Sequence, residues 1–71
     1  MKEKEFGSHL RSLREKKGLS QFQLGKLVGV SDKAVSKWEN GYAKPKSSVL
    51  LRLSEVLSVS VEELLKDMYI K

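Results

Sequence analysis

Apolar residues recur along the chain three and four positions apart, which is the spacing that places them on one face of an α-helix. Four segments show this spacing: Phe6, Leu10 and Leu13; Leu24, Leu27 and Val28; Leu50, Leu53 and Leu57; and Val61, Leu64, Leu65 and Met68. The sequence therefore predicts an all-α protein.

Serine marks three of the predicted helix starts. In each case an apolar residue precedes the serine and another follows four positions after it, so the hydroxyl can cap a free backbone N–H while the apolar pair packs together. The three serines are Ser20, Ser31 and Ser60. Together with the apolar spacing, they predict helices over 3–17, 20–28, 31–39, 47–57 and 60–68.

Only Gly29 and Val30 separate the second predicted helix from the third. Because Gly29 can adopt a positive φ at little cost, the chain can turn sharply there and set one helix across the other. Gly25 is small where the two helices would approach closely. Val35 and Trp38 then face the core, and the opposite face of the third helix is polar. That polar face consists of Asp32, Lys33, Ser36 and Lys37.

Length and composition exclude several classes of protein. A chain of 71 residues buries about 60% of its unfolded surface, so we expect one domain over 1–71 with its core at about 6–65. The absence of Cys excludes disulfides and Cys-ligated metals, and a lone His with scattered carboxylates gives no constellation for an enzyme, metal or cofactor. The N-terminus lacks the apolar stretch of a signal peptide and no apolar run could span a membrane, so we expect a cytoplasmic protein.

The formal charge of +5 favours a polyanion as partner, and its distribution strengthens that reading. Between Ser20 and Lys46 there are five Lys against two acids, a local charge of +3. Between Glu55 and Asp67 there are four acids against one Lys, a local charge of −3. The positive charge therefore coincides with the second and third predicted helices and the loop after them.

Three stretches carry a family resemblance: LRSLREKKGLSQ, LGKLVGVSDKAVSKWENG and KPKSSVLLRLSEVLSVSVEELL. Through them the chain resembles the Cro/phage-repressor-like family of helix-turn-helix DNA-binding domains from about Phe6 to Leu65, without insertions. The resemblance implies a compact five-helix, lambda-repressor-like domain with the helix-turn-helix at its second and third helices. It also implies sequence-specific binding of near-palindromic operator DNA, commonly as a homodimer. We therefore predict a transcription regulator, and specifically a repressor.

The resemblance assigns base contacts to the polar face of the third helix. The matching positions are Asp32, Lys33, Ser36 and Lys37. These residue types suit the role, because Lys donates to guanine O6 and N7, Asp accepts from cytosine N4, and Ser can do either. The alternative for each is an ordinary solvated helix face, and for Asp32 a favourable interaction with the helix dipole alone.

Phosphate contacts are assigned by the resemblance to Gln21, at the start of the second helix, and to Asn40, just after the third. Three further residues lie in the following loop and can contact the DNA backbone: Tyr42, Lys44 and Lys46. The resemblance also pairs Arg14 with Glu39 as an ion pair that braces the first helix against the end of the third.

Three positions depart from the family pattern. Phe22 stands off the apolar face of its helix where a polar residue is usual, and three roles are open: packing on DNA sugar, contact with a partner, or an incidental exposed aromatic. Ser47 replaces a common apolar residue and Ser58 a frequent Gly. The last two departures bear on where the helix predicted over 47–57 begins and ends.

Other functions are compatible with the same domain. It could be an antitoxin, which would add a toxin protein as partner, or a protein-interaction module that does not read DNA, since a fold alone does not determine function. No small-molecule ligand is evident. At the C-terminus, Met68, Tyr69 and Ile70 form either a helix end with a tail or a dimer seam.

Overall fold

The computed structural model describes the backbone of residues 2–69 and the side chains of residues 5–65. Over this part the chain forms five helices and no strand, which confirms the all-α prediction. The helices are α1 (Lys2–Lys16), α2 (Gln21–Val28), α3 (Asp32–Glu39), α4 (Ser47–Leu57) and α5 (Val61–Tyr69). Each predicted bound lies within one residue of the observed one. The side chains of Met68 and Tyr69, and the whole of Ile70, lie outside the described residues.

Serine caps begin three of these helices, as the sequence predicts. The Ser20 hydroxyl accepts from the Gln23 backbone N–H at 3.0 Å, and the Gln23 side chain accepts from the Ser20 backbone N–H at 2.8 Å. Ser31 and Ser60 each accept from the N–H three residues later, at 3.1 and 3.0 Å. Because each such cap stabilises a helix start by about 1 kcal/mol, local sequence alone strongly favours these boundaries.

Apolar side chains from all five helices meet in one core. Its buried members are Phe6, Leu10, Leu24, Val28, Val35, Trp38, Leu53, Leu57 and Leu64. Leu27, which the helical spacing grouped with the apolar face of α2, is instead 56% exposed. Each residue turns an α-helix by about 100°, and the buried face of α2 is centred between Leu24, Gly25 and Val28. Leu27 therefore falls to the side of that face.

Two glycines allow α3 to lie close to its neighbours. A Cβ added to Gly25 would come within 2.6 Å of the Val30 carbonyl oxygen, and one added to Gly7 within 2.6 Å of the Trp38 carbonyl oxygen. Both distances are far below van der Waals contact, so α2 and α1 can approach α3 only without a side chain at these positions. The close approach at Gly25 is expected from the helix-turn-helix geometry, whereas the approach at Gly7 was not predicted.

Ser58 ends α4 in the left-handed conformation that glycine usually supplies, with φ 60° and ψ 40°. The turn is closed by the Val59 N–H, which donates to the Ser54 carbonyl at 3.0 Å. The Lys17 ammonium donates to the Ser58 hydroxyl at 3.1 Å. A non-glycine residue in this conformation costs about 1 kcal/mol, yet α4 keeps its predicted bounds of Ser47–Leu57.

Candidate nucleic-acid interface

The turn between α2 and α3 rests on Gly29, which has φ 85° and ψ 29°. The N–H groups of Gly29 and Val30 both donate to the Gly25 carbonyl, at 2.7 and 2.8 Å. These bonds end α2 and reverse the chain within two residues, because a positive φ costs glycine little. As a result, α3 begins at once and packs across α2.

Helix α3 is polar outside and apolar inside. Val35 is fully buried and Trp38 nearly so, and both belong to the core. Asp32, Lys33 and Lys37 are exposed on the other side of the helix. The core therefore holds α3 from within while these three polar side chains extend into solvent.

Ser36 and Asn40 are linked to each other at the end of α3. The Asn40 side-chain amide donates to the Ser36 carbonyl at 2.8 Å and to the Ser36 hydroxyl at 3.3 Å. Ser36 is half-buried and Asn40 is exposed. The structure thus brings a predicted base-contacting residue and a predicted phosphate-contacting residue into direct contact.

Arg14 and Glu39 form a bidentate ion pair beneath this surface. Arg14 Nε donates to Glu39 Oε2 at 2.6 Å and Arg14 Nη2 to Oε1 at 3.1 Å, and the two side chains are only 9% and 3% exposed. Arg14 Nη1 also donates to the Leu19 carbonyl at 2.7 Å. The hydrogen bond to Glu39 raises the pKa of Arg14 above its ordinary value, against the opposing effect of desolvation.

Gln21 also forms a hydrogen bond with the Glu39 carboxylate. Its side-chain Nε2 donates to Glu39 Oε1 at 3.0 Å. The carboxylate at the end of α3 therefore binds both α1, through Arg14, and the first residue of α2. Within the described residues, no buried side-chain N or O atom is left without a hydrogen-bond partner. This contact of Gln21 with Glu39 was not predicted from the sequence.

The loop between α3 and α4 carries the remaining predicted contacts. The start of this loop is held against the end of α3, because the Tyr42 N–H donates to the Lys37 carbonyl at 2.8 Å. The Tyr42 side chain is 81% exposed, and Lys44 and Lys46 are exposed as well. Lys46 precedes the first residue of α4. Three polar groups that could approach a phosphate backbone thus face solvent just after α3.

Two further residues show contacts that the sequence did not predict. His9 Nε2 lies 3.1 Å from the Glu63 carbonyl oxygen and 3.4 Å from the Glu63 carboxylate, which ties α1 to α5. Phe22 is exposed, with the Lys26 ammonium 5.7 Å from the centre of its ring. The exposed position of Phe22 is compatible with all three roles considered for it.

The described side chains form no cluster of three or more His, Asp or Glu that could hold a metal ion. In the same part of the chain, no helix has the length and apolar character needed to cross a membrane.

A family model described as Helix-turn-helix matches residues 10–64, which include the whole α2–turn–α3 unit. The chain belongs to this helix-turn-helix family. The match confirms the family resemblance seen in the sequence, and it covers the network that joins Arg14, Gln21 and Glu39.

Named regulators are among the relatives of this helix-turn-helix chain. It is 43% identical over 60 residues to Repressor protein C2 of Salmonella phage P22, covering 84% of the chain and 28% of that repressor. It is also 43% identical over 61 residues to the HTH-type transcriptional activator BcrR of Enterococcus faecalis, covering 86% of the chain and 30% of BcrR. The chain thus spans less than a third of the length of either relative.

Solved structures of other proteins superpose on the fold. One is the P22 c2 repressor in complex with a synthetic operator, with a TM-score of 0.83, 42% identity, and coverage of 87% of this chain and 94% of that one. Another is the restriction-modification controller protein C.AhdI of Aeromonas hydrophila, with a TM-score of 0.78, 37% identity, and coverage of 84% and 87%. These likenesses confirm the predicted lambda-repressor-like five-helix fold.

Proposed function

We propose that the protein is a sequence-specific DNA-binding transcription regulator, acting as a repressor and not as an enzyme. The observation that best supports this proposal is that α3 has one buried apolar face and one exposed polar face. It is anchored in the core by Val35 and Trp38 and presents Lys33 and Lys37 to solvent. The likeness to the P22 c2 repressor, whose structure was solved in complex with an operator, supports the same function.

In this proposal α3 enters the major groove and reads base edges. Lys33 and Lys37 donate to guanine O6 and N7, and Asp32 accepts from a cytosine amino group. The Ser36 hydroxyl, which already accepts from Asn40, has a hydrogen to donate to a base acceptor. The exposed face of α3 thus offers both donors and acceptors, which direct reading of a mixed sequence requires.

Phosphate contacts position α3 in the groove. Gln21 begins α2 and Asn40 follows α3. The hydrogen bond from Gln21 to Glu39 brings both residues to the end of α3, where they would contact the DNA backbone. The loop residues Tyr42, Lys44 and Lys46 extend this contact. Because phosphates are present in every sequence, these residues supply affinity and register, whereas the specificity comes from α3.

A homodimer completes the proposal. Two copies related by a twofold axis would place their α3 helices one turn of DNA apart, about 34–36 Å. The matching operator is then near-palindromic, with half-sites separated by the same distance. Each half-site would receive one α3 helix and one set of phosphate contacts.

Selection of bound duplexes from a random DNA pool at near-physiological salt tests this function. We expect enrichment of a palindrome whose half-sites are one helical turn apart. No enrichment from folded protein would contradict DNA reading and favour the protein-interaction module. Co-purification with a toxin protein, together with operator binding, would identify an antitoxin. A reporter gene under the selected operator then gives the sign of regulation, and increased expression would contradict a repressor.

Variants of α3 test the reading residues. Lys33→Ala or Lys37→Ala should lower the preference for one operator base by about 1–3 kcal/mol while circular dichroism shows an intact fold. Lys46→Ala serves as the matched control, because loss of a phosphate contact weakens all sequences alike. Unchanged discrimination between the operator and a singly mutated operator in both α3 variants would contradict base reading by these lysines.

A further inference from the structure

Glu39 receives hydrogen bonds from two different side chains at a buried position. Arg14 donates to both carboxylate oxygens, at 2.6 and 3.1 Å, and Gln21 Nε2 donates to Oε1 at 3.0 Å. An ionised carboxylate can only accept hydrogen bonds. Gln21 must therefore turn its amide nitrogen, and not its carbonyl oxygen, toward Glu39.

The orientation of the Gln21 amide matters for a phosphate contact. The amide nitrogen carries two hydrogens, and Glu39 takes one of them. The second hydrogen belongs to the same nitrogen and remains available to a phosphate oxygen. If the amide were reversed, its carbonyl oxygen would take the place of this donor and repel the phosphate.

Arg14 makes this arrangement compatible with a polyanion. A carboxylate near a phosphate would by itself oppose DNA binding through charge repulsion. The guanidinium of Arg14 is bidentate to Glu39 and nearly as buried, so the pair presents an acceptor with little net charge. Gln21 is thereby oriented without a repulsive charge being placed beneath the DNA backbone.

We infer that Glu39, neutralised by Arg14, is a positioning residue for DNA binding: it holds the Gln21 side-chain amide with an N–H directed at one DNA phosphate. The inference rests on the proposed function, since it assigns the phosphate contact of Gln21 to a specific cause. The buried ion pair and Gln21 thus link α1, α2 and α3. The same hydrogen bonds orient the Gln21 amide for its contact with DNA.

A binding cycle tests this coupling. The ion pair is replaced by apolar side chains in Arg14→Met/Glu39→Met, because buried pairs exchanged for apolar residues of similar volume often leave the fold stable. Gln21→Met then removes the amide in both backgrounds. Fluorescence anisotropy measures the affinity for the operator obtained by duplex selection, and circular dichroism checks the fold of each variant.

In the unmodified background we expect Gln21→Met to weaken operator binding by about tenfold to 100-fold, as for one hydrogen bond to a charged group. In the Met/Met background the loss should fall below about twofold, because the amide is no longer oriented. Lys46→Ala is the control and should weaken binding by the same factor in both backgrounds. A merely loosened fold would reduce the effects of Gln21 and Lys46 together.

Several results would overturn the inference. An equal loss from Gln21→Met in both backgrounds would do so, as would no loss in the unmodified protein or a parallel decrease in the effect of Lys46→Ala. The proposed function fails separately, through the absence of any selected duplex, and the inference then fails with it. Binding without coupling would refute the inference alone.

Nuclear magnetic resonance of the unmodified protein provides a second test if the Met/Met variant does not fold. In the free protein, one of the two Gln21 side-chain amide protons should be shifted downfield by its bond to Glu39. The other proton should shift on addition of operator, and this shift should vanish when the contacted phosphate is replaced by a methylphosphonate. Two amide protons at ordinary positions in the free protein would refute the orientation.

Discussion

Truncation of Arg14 is the strongest test of how the fold is held together. Arg14→Ala removes the two Arg14 donors to the Glu39 carboxylate, which is only 3% exposed, and the donor to the Leu19 carbonyl. Gln21 remains as a neutral donor, but the carboxylate loses its counter-charge while it stays buried. Removing one partner of a buried pair in this way costs about 3–5 kcal/mol.

This loss is large compared with the stability of so small a protein. A domain of this length has a free energy of unfolding of roughly 4–11 kcal/mol. At 4–8 °C per kcal/mol for domains of this size, we expect the melting temperature to fall by roughly 12–40 °C. At the lower end of this stability range, Arg14→Ala should leave the protein partly unfolded under ordinary conditions.

Thermal unfolding followed by far-UV circular dichroism measures this effect, and Arg11→Ala is the matched control. Arg11 lies on the same helix and bonds Glu15 at 3.1 Å, but these side chains are 64% and 56% exposed. Such an exposed pair contributes at most about 0.5 kcal/mol. Equal changes in melting temperature for the two variants would refute the reasoning that burial gives the Arg14 pair its importance.

The pH dependence of this effect also has a definite sign. The folded-state pKa of Arg14 is raised above its unfolded-state value, first of all by the hydrogen bond to Glu39. The corresponding stabilisation is fully present below the unfolded-state pKa and is lost only as the pH rises through the folded-state pKa. The difference in melting temperature between Arg14→Ala and the unmodified protein should therefore stay constant from neutral to moderately alkaline pH.

Three further variants test other parts of the structure. Ser58→Gly should raise stability by about 0.5–1 kcal/mol, because glycine adopts the left-handed conformation without strain; Ser48→Gly, at an exposed helical position, should lower it. Gly7→Ala should destabilise by about 1–3 kcal/mol despite the better helix propensity of Ala, since its Cβ would collide with the backbone of α3; Ser8→Ala, exposed beside it, should not, and equal urea midpoints would contradict the steric argument. Lys46→Ala should reduce the slope of log affinity against log salt by about one unit for every duplex, and an unchanged slope would argue against a phosphate contact.

The helix positions and the turn between α2 and α3 were predictable because they depend on neighbours in the sequence. A serine and the N–H three residues later lie within one helical turn, so the caps at Ser20, Ser31 and Ser60 needed no tertiary information. The same holds for the turn at Gly29, whose left-handed backbone is a property of glycine itself. The pairing of Arg14 with Glu39, 25 residues apart, required the family resemblance.

Only the tertiary structure decided the contacts that depend on how the helices cross. Gly7 is needed because α1 approaches the end of α3, and His9 reaches Glu63 from 54 positions away. Leu27 is exposed because the partners of α2 cover only one side of it, and Gln21 turns inward because Glu39 lies beside the start of α2. No periodicity encodes these contacts, since the sequence sets the face of each helix but the crossing angles determine which faces meet.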